Sequence, residues 1–572
     1  MRKAGSEAMS AINVEVTVSQ ATTDLVAIHK TRFSRLVFLV ALTVIGVILL
    51  GLILSILRLN NGTFLYTLDD PYIALALSDQ IRHGHYGMNP GEPSAPSSSI
   101  LYPLLEALAS GTPIHPYLPL ILNSLAMFAT IALMQRFFVY LLLAQDKFGL
   151  VVQGAALVML AVCFNLIAVV FTGLEHSLHI AVTAACIYGL ALFLDTDKIP
   201  TWLPAIIVFA PLLRYEGLAL SAGAILILAL RKRWRTASGT LAMIVLTVGG
   251  FSAFLVSLKL APLPSSILIK SELAVSSISG TKISAITSML RNARYMSADP
   301  VGLLLLLIGV AAAVQCFSEL PAKPWRWTSQ GLMSLVLVVM VGGHAAAGSF
   351  GWLDRYEDYV IVGTFLMCIY LTQETIRNAL LNQNSRLLWV SGVAVALLLI
   401  TPSYVIGTER VPRAANDNYE LGFQLHRFVK DFYRAPVAVG DLGVVSYKDP
   451  NFVLDLGGLS SEESRFLALN HGSAEAYDAL VRSRGIKLVI FPYTTLPSDA
   501  NIRETWRKVA TLSLVKRPVF VWPNEEIYAT NSDSAKELQP ELRAFRESLP
   551  PGAKLTIYDP SLKNTGEDDL DK

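Results

Sequence analysis

The stretch LYTLDDPYIALALSDQIRHGHYGMNPGEPSAPSSSILYPLLEALAS, Leu65 to Ser110, decides how the rest of the chain is read. It follows the first long apolar run and is too polar to cross a bilayer. Two adjacent carboxylates, Asp69 and Asp70, open it at the expected membrane–water boundary. Pro71 favours a helix start, because its fixed φ suits the first helical position. Ile73, Leu77 and Ile81 recur every fourth residue and make one apolar face, with Asp79 and Arg82 elsewhere on the wheel. Gly84 and Gly87 end this helix. A Pro/Gly/Ser-rich loop, Asn89 to Ser99, leads to a second apolar stretch, Ile100 to Leu108. The expectation is two helices on or near the membrane surface with an acidic pair at their entrance.

Composition sets the class. Of 572 residues 53% are hydrophobic and only 16% charged, with a mean hydropathy of +0.50, which describes a polytopic membrane protein. The net charge of +2 gives no reason to expect nucleic acid. Cys163, Cys186, Cys316 and Cys368 lie in or beside apolar runs without metal-ligand spacing, so they read as buried thiols. The first thirty residues lack the apolar core of a cleaved signal, and Leu36 to Leu57 should act as an uncleaved signal-anchor.

About eleven spans are expected: 36–58, 116–143, 149–171, 175–194, 201–214, 217–230, 238–260, 301–317, 329–347, 358–375 and 386–405. The fifth and sixth are short and separated only by Arg214-Tyr215-Glu216-Gly217, which suits either a re-entrant pair or a helix pair with borrowed ends. Lys30, Arg32 and Arg35 put the N-terminal tail, 1–35, in the cytoplasm. Lys147, Lys198, the cluster Arg231–Arg235, Lys323, Arg326 and Arg377 then fall on that same side. The expected layout is a membrane module over 36–406 with its first external loop at 59–115. An external soluble α/β domain over 407–550 and an acidic, disordered tail over 551–572 follow. Strands are expected at Val437–Val439, Phe452–Leu456, Lys487–Phe491 and Val519–Trp522, with a helix over Tyr419–Phe432.

Several polar groups converge on the external face. Asp69 and Asp70 can deprotonate an attacking hydroxyl or bind a divalent cation such as Mg2+ or Mn2+. They equally suit an N-cap ahead of Pro71; one residue can cap while the other does chemistry. Lys270, Arg355 and Arg214 form a basic set able to hold a phosphate, although each taken singly suits snorkelling or local pairing. Glu175, at a helix N-terminus, suits the dipole and can also bind a sugar hydroxyl. Tyr72 and Glu216 complete the candidate substrate contacts. His83, His85, His176 and His179 read as helix-terminal polar residues rather than metal ligands. Ser97-Ser98-Ser99 reads as a turn, and Asn61-Gly62-Thr63 fits a glycosylation acceptor pattern.

With these positions in view, the chain resembles the bacterial GT-C glycosyltransferases. Among them it looks like the branch with mycobacterial arabinofuranosyltransferases and mannosyltransferase-like proteins. The residues that carry the resemblance are 68–107, TGLEHSLHI (172–180), LLRYEG (212–217), PLPSSILIK (262–270), LDRYEDYVI (353–361) and GDLGVVSYKDPNFVLDLGGLS (440–460). The resemblance implies a multi-pass enzyme of the bacterial cytoplasmic membrane acting on its outer side. Such an enzyme takes a pentose or hexose from a polyprenyl-phosphate carrier and passes it to a glycan or glycolipid. Asp69 or Asp70 would be the base, and Lys270 and Arg355 would face the lipid phosphate. Two departures stand out. Arg214-Tyr215-Glu216-Gly217 replaces the commoner Arg-Pro-Asp/Glu-Gly, and Pro93-Ser94-Ala95-Pro96 replaces the usual Glu-Gly-Tyr/Phe-Thr lead-in.

Two rival readings remain open on sequence: a flippase of lipid-linked sugars, which would want charged groups at mid-membrane, and a non-catalytic protein presenting an external binding domain.

Overall fold

A computed structural model describes residues 32–559 apart from 142, 144–145, 271–281, 320–326, 352, 471, 493–504 and 520. Two parts follow from composition: an apolar helical bundle and a C-terminal sheet domain. Among the described residues six helices are long and apolar enough to cross a membrane: Arg32–Leu59, His115–Tyr140, His176–Thr196, Trp234–Ser257, Pro300–Ser318 and Ser329–Ala347. Two bent pairs, Asp358–Leu371 with Gln373–Leu381 and Arg386–Ile400 with Pro402–Tyr433, turn by 71° and 64°. Each of the eleven expected segments overlaps a helix, but among the described residues helix length alone supports six crossings, or eight with each bent pair taken as one. The other three are Lys147–Cys163, Leu203–Leu213 and Gly217–Leu230, of 17, 11 and 14 residues. At 1.5 Å per residue the last two fall short of a hydrocarbon core of about 30 Å.

His176–Thr196 is the innermost helix, with Ile180, Ala184, Ile187 and Leu190 in the bundle core. Arg32–Leu59 lies at the periphery, where Leu36, Leu39, Leu50 and Leu54 stay exposed, as a lipid-facing helix requires. The expected third span is interrupted at Asn165, which adopts a left-handed conformation (φ +56) between Lys147–Cys163 and Leu166–Val170.

Among the described residues the sheet domain holds six strands: β1 (Val437–Val439), β2 (Val453–Asp455), β3 (Leu488–Pro492), β4 (Arg507–Leu514), β5 (Asn524–Ala529) and β6 (Ala553–Ile557). Their order is β2-β1-β3-β5-β4-β6, with β1 parallel to both neighbours and the other pairs antiparallel. Central β3 is buried along its whole length, as a strand covered on both faces must be. Two expectations are corrected here. Among the described residues of 519–522 none is in a strand; the chain pairs instead over Asn524–Ala529, and the Val519 amide donates to Asp417 Oδ2 at 2.6 Å. The domain also runs past 550, because Ala553 and Leu555 alternate inward and pair as an edge strand with β4. Residues 560–572, the rest of the expected tail, lie outside the described residues.

The first-loop helix Asp70–Arg82 does not lie bare on a membrane surface. Its first two turns, Pro71 to Ser78, are all buried. One apolar core joins Leu65, Tyr72, Ile73 and Leu77 to Leu442, Val445 and Ile490 of the sheet domain. A half-polar helix is stable here because a second domain covers the side that the bundle leaves open. Three polar contacts fix that docking. Asn418 Nδ2 donates to the carbonyls of Tyr66 and Leu68 at 3.2 and 3.1 Å. The Asn89 side chain imitates a neighbouring strand, donating to Val453 O at 2.9 Å and accepting from Val453 N at 3.1 Å; this covers the open edge of β2. Asp69 makes the third, described next.

Candidate active site

Where the bundle meets the sheet domain, a cavity of about 300 Å³ opens. All six stretches singled out in the sequence contribute to its wall. Asp70, Ile73 and Ala74 come from the first-loop helix, and Pro96, Ser97 and Ser98 from the serine turn. Leu174, Glu175 and His176 come from the head of the innermost helix, and Arg214, Tyr215 and Glu216 from the tip of the short hairpin. Ser266 and Ile267, then Arg355 and Tyr356, and Leu459 from the sheet domain also line it, as do Leu218, Ala347 and Ser349.

The adjacent aspartates separate. Asp69 turns to the sheet domain, where its Oδ2 accepts from Gly443 N at 2.6 Å and its Oδ1 from Val444 N at 2.7 Å. It makes no side-chain cap on its own helix; it caps the short helix Gly443–Ser446 of the other domain. A Cβ on Gly443 would lie 2.1 Å from the Asp69 carbonyl oxygen, so only glycine permits this approach. Burial pushes the Asp69 carboxyl up to about 6, against the pull of the Val444 and Gly443 amides and with help from Asp70 and Asp455. Asp70 faces the cavity, and its Oδ2 accepts from Arg355 Nη2 at 2.5 Å.

Arg355 is 2% exposed. Its Nη2 also donates to the Tyr356 hydroxyl at 3.0 Å, while Nε and Nη1 are buried without a hydrogen-bond partner among the described residues. The backbone that aims it is unusual: Leu353 and Asp354 are both left-handed, with φ of +66 and +51. Such a turn costs energy and needs outside support. Asn165 supplies it, donating from Nδ2 to Leu353 O at 2.7 Å and Asp354 O at 3.4 Å.

Arg214 is differently placed from what the basic set suggested. Its Nη1 donates to Glu175 Oε1 at 2.6 Å and its Nη2 to Glu216 Oε1 at 2.7 Å. Nη1 also lies 3.2 Å from His176 Nε2. Two carboxylates therefore already offset its charge. Tyr356 sits between the two arginines, with its ring centroid 5.4 Å from Arg214 Cζ and 4.8 Å from Arg355 Cζ, a favourable cation–π arrangement.

Glu175 and Glu216 line the cavity as clamped carboxylates. Tyr72 is outside the lining: it packs against Tyr66 and Tyr447, and its hydroxyl accepts from Tyr66 N at 3.2 Å. Lys270 ends the helix Ser265–Lys270, and its side chain lies outside the described residues. Among the described residues no three His, Cys, Asp or Glu side chains converge as a metal site. Each cavity carboxylate meets an arginine through one oxygen: Glu175 Oε1 and Glu216 Oε1 at Arg214, and Asp70 Oδ2 at Arg355. Sequence reasoning missed Asn165, Tyr356 and Leu459. Asn165 carried the one available signal, a lone Asn between two apolar runs.

The family described as Domain of unknown function (DUF8728) matches residues 410–533. No curated protein matches the chain. Among solved structures it is similar to the crystal structure of ArnT from Cupriavidus metallidurans in the apo state, at 12% identity and a TM-score of 0.39, covering 86% of this chain and 99% of that one. It is also similar to the archaeal oligosaccharyltransferase AglB from Archaeoglobus fulgidus in complex with an inhibitory peptide and a dolichol-phosphate. There the identity is 11% and the TM-score 0.36, over 89% of this chain and 75% of that one. At these TM-scores the likeness carries no chemistry, which rests on the cavity itself.

Proposed function

We propose that this protein is an integral-membrane inverting glycosyltransferase that moves a sugar from a polyprenyl-phosphate donor to a glycan or glycolipid on the external face. The observation that carries the reading is the Asp70–Arg355 pair: a carboxylate at a cavity wall, beside a buried guanidinium with two nitrogens unpartnered. A buried cation with open N–H groups is costly unless an anion completes it, and a lipid phosphate fits that need.

In this scheme the donor phosphate takes the open N–H groups of Arg355 and draws the guanidinium from Asp70. The freed carboxylate accepts the proton of the acceptor hydroxyl. The resulting oxygen attacks the anomeric carbon from the face opposite the phosphate. The carbon–oxygen bond to phosphate breaks, and the charge left on the phosphate is stabilised by Arg355, with Lys270 as the second cation. Phosphate leaves without a general acid. Glu175 and Glu216, held by Arg214, accept hydrogen bonds from sugar hydroxyls. No step uses a metal. Tyr72 has a supporting role here, anchoring the Asp70 helix against Tyr66 and Tyr447.

The test begins with cells lacking the protein. Their polyprenyl-phosphate sugars are measured by mass spectrometry, with rescue by the wild-type chain, Asp69→Asn and Asp70→Asn. One carrier-linked sugar should accumulate, and wild type and Asp69→Asn should clear it while Asp70→Asn does not. Clearance by Asp70→Asn would remove Asp70 as the base, and an unchanged lipid pool in cells without a redundant enzyme would sink the transferase reading.

A further inference from the structure

The sheet domain reaches the cavity through Leu459, and the loop that carries Leu459 is built with unusual care. Asp455, 1% exposed at the end of β2, folds its carboxylate back to accept from Gly457 N at 2.8 Å and Ser460 N at 2.6 Å. Gly458 is left-handed (φ +81), and a Cβ there would lie 2.5 Å from the Arg465 Cα, so the turn admits only glycine. Ser461 then caps the helix Glu462–Leu469. From that helix Arg465 Nη1 donates to Ser265 Oγ at 3.3 Å. Ser265 N in turn donates to Ala95 O at 2.9 Å. Leu459, Ser266 and the serine turn are thereby held as one piece of wall.

That wall carries no charged side chain of its own, although Ser98 Oγ donates to Glu175 Oε1 at 3.5 Å. Pro96, Ser97, Ser98, Ser266, Ile267 and Leu459 bring hydroxyls and apolar carbon and no charge. The Ser266 hydroxyl is buried, 6% exposed as a residue, and has no hydrogen-bond partner among the described residues. A buried hydroxyl left unpaired costs stability; a ligand hydroxyl would satisfy it. Neutral hydroxyls beside a branched apolar side chain suit a saccharide, which offers hydroxyls at its edge and C–H groups on its face. The phosphate is better served at Arg355, whose Nε and Nη1 are buried without a hydrogen-bond partner among the described residues.

Building on the transferase reading above, we infer that Leu459, Ser266 and the serine turn form the acceptor subsite, that its ligand is a saccharide, and that the sheet domain sets acceptor choice through Leu459.

The test uses the full chain in lipid nanodiscs. Polyprenyl-phosphate pentose and hexose donors labelled in the sugar are supplied, with membranes from cells lacking the protein as the acceptor source. The readout is the ratio of label transferred to label released as free sugar, because a folding defect lowers both together while an acceptor-subsite defect lowers the ratio. Leu459→Trp, which fills the subsite, and Leu459→Ala, which removes its platform, should each lower the ratio about tenfold. Leu459→Met should restore it to near the wild-type value. An active Leu459→Trp with the wild-type ratio would overturn the inference while leaving the transferase reading intact. Label in a protease-sensitive product would overturn the saccharide assignment. A wild-type chain that consumes no donor would overturn the transferase reading, and this subsite with it.

Discussion

Asp69 and Asp70 are chemically identical neighbours whose carboxylates serve different partners, one the backbone of a second domain and the other a cavity arginine. The two roles predict separable failures. Asp70→Asn keeps a similar shape and an acceptor oxygen for Arg355 but cannot take a proton. Turnover of a polyprenyl-phosphate sugar should fall by about 10²–10⁴, with the melting temperature little changed. Asp69→Ala leaves the Gly443 and Val444 amides without their acceptor, at a cost of about 1–3 kcal/mol for each unsatisfied group. It should speed hydrogen exchange at residues 443–447 and lower the melting temperature. If Asp69→Ala abolished turnover with unchanged exchange at those amides, the assignment of roles would be reversed. The dipeptide itself was legible in sequence, as was the chance of divided labour. Which residue took which role was not, because the deciding amides lie 374 and 375 positions away and no local pattern encodes them. The same holds for Arg214, whose basic character was plain but whose engagement by Glu175 depends on a helix head 39 residues earlier.

At the scale of the element, the segment that presents Arg355 matters more than its length suggests. A two-residue left-handed turn at Leu353–Asp354 is disfavoured by the branched Leu side chain, and Asn165 holds it from the break between two helices. Asn165 is a positioning residue, since it does not line the cavity. Asn165→Ala should release the turn and widen the range of Arg355 positions. The expected loss is about tenfold in kcat/KM for the donor, since a shift of about 1 Å at a reacting group is already costly. Asn165→Asp keeps a side-chain oxygen but loses the donor N–H, so it should not rescue. A loss confined to melting temperature, with turnover per folded molecule unchanged, would reduce Asn165 to packing. Helices were easier to read than strands here. Long apolar runs announce themselves, and every expected span overlapped a helix. Strand β4 was missed because RKVATLSL alternates charge and apolar groups only weakly, and β6 because AKLTI borders an acidic tail. Their pairing with β5 and with each other stabilises what propensity alone does not.

At the scale of the whole molecule, carboxylates cluster where the bundle meets the sheet domain. Asp69, Asp441 and Glu525 share the wall of a small cavity, and Asp455 lies close enough to raise Asp69 further. Burial pushes the Asp455 carboxyl up to about 6, despite the amides of Ser460 and Gly457 that pull it down. Burial also raises Glu525, with Asp441 and Asp69 adding to it. The sign follows from proton counts. An unfolded carboxylate gives up its proton near pH 4, whereas Asp69 and Asp455 in the folded chain keep theirs to about pH 6. Between those values the folded state binds more protons, so stability from these groups is full below about pH 4 and is lost as pH rises to about 6. The net curve of the protein also contains ordinary ion pairs that titrate the other way, so the clean measurement is a difference. Asp69→Asn is neutral at every pH, and its Nδ2 cannot accept from an amide, so it loses one of the two backbone bonds by an amount that does not change with pH. The melting temperature of wild type minus that of Asp69→Asn, measured in nanodiscs from pH 3 to 7, should be highest at the acid end, fall as pH rises past about 4 and level above about pH 6. A difference that rose with pH over this interval would mean that the charged Asp69 is the form the docked domains prefer, with the Gly443 and Val444 amides outweighing burial.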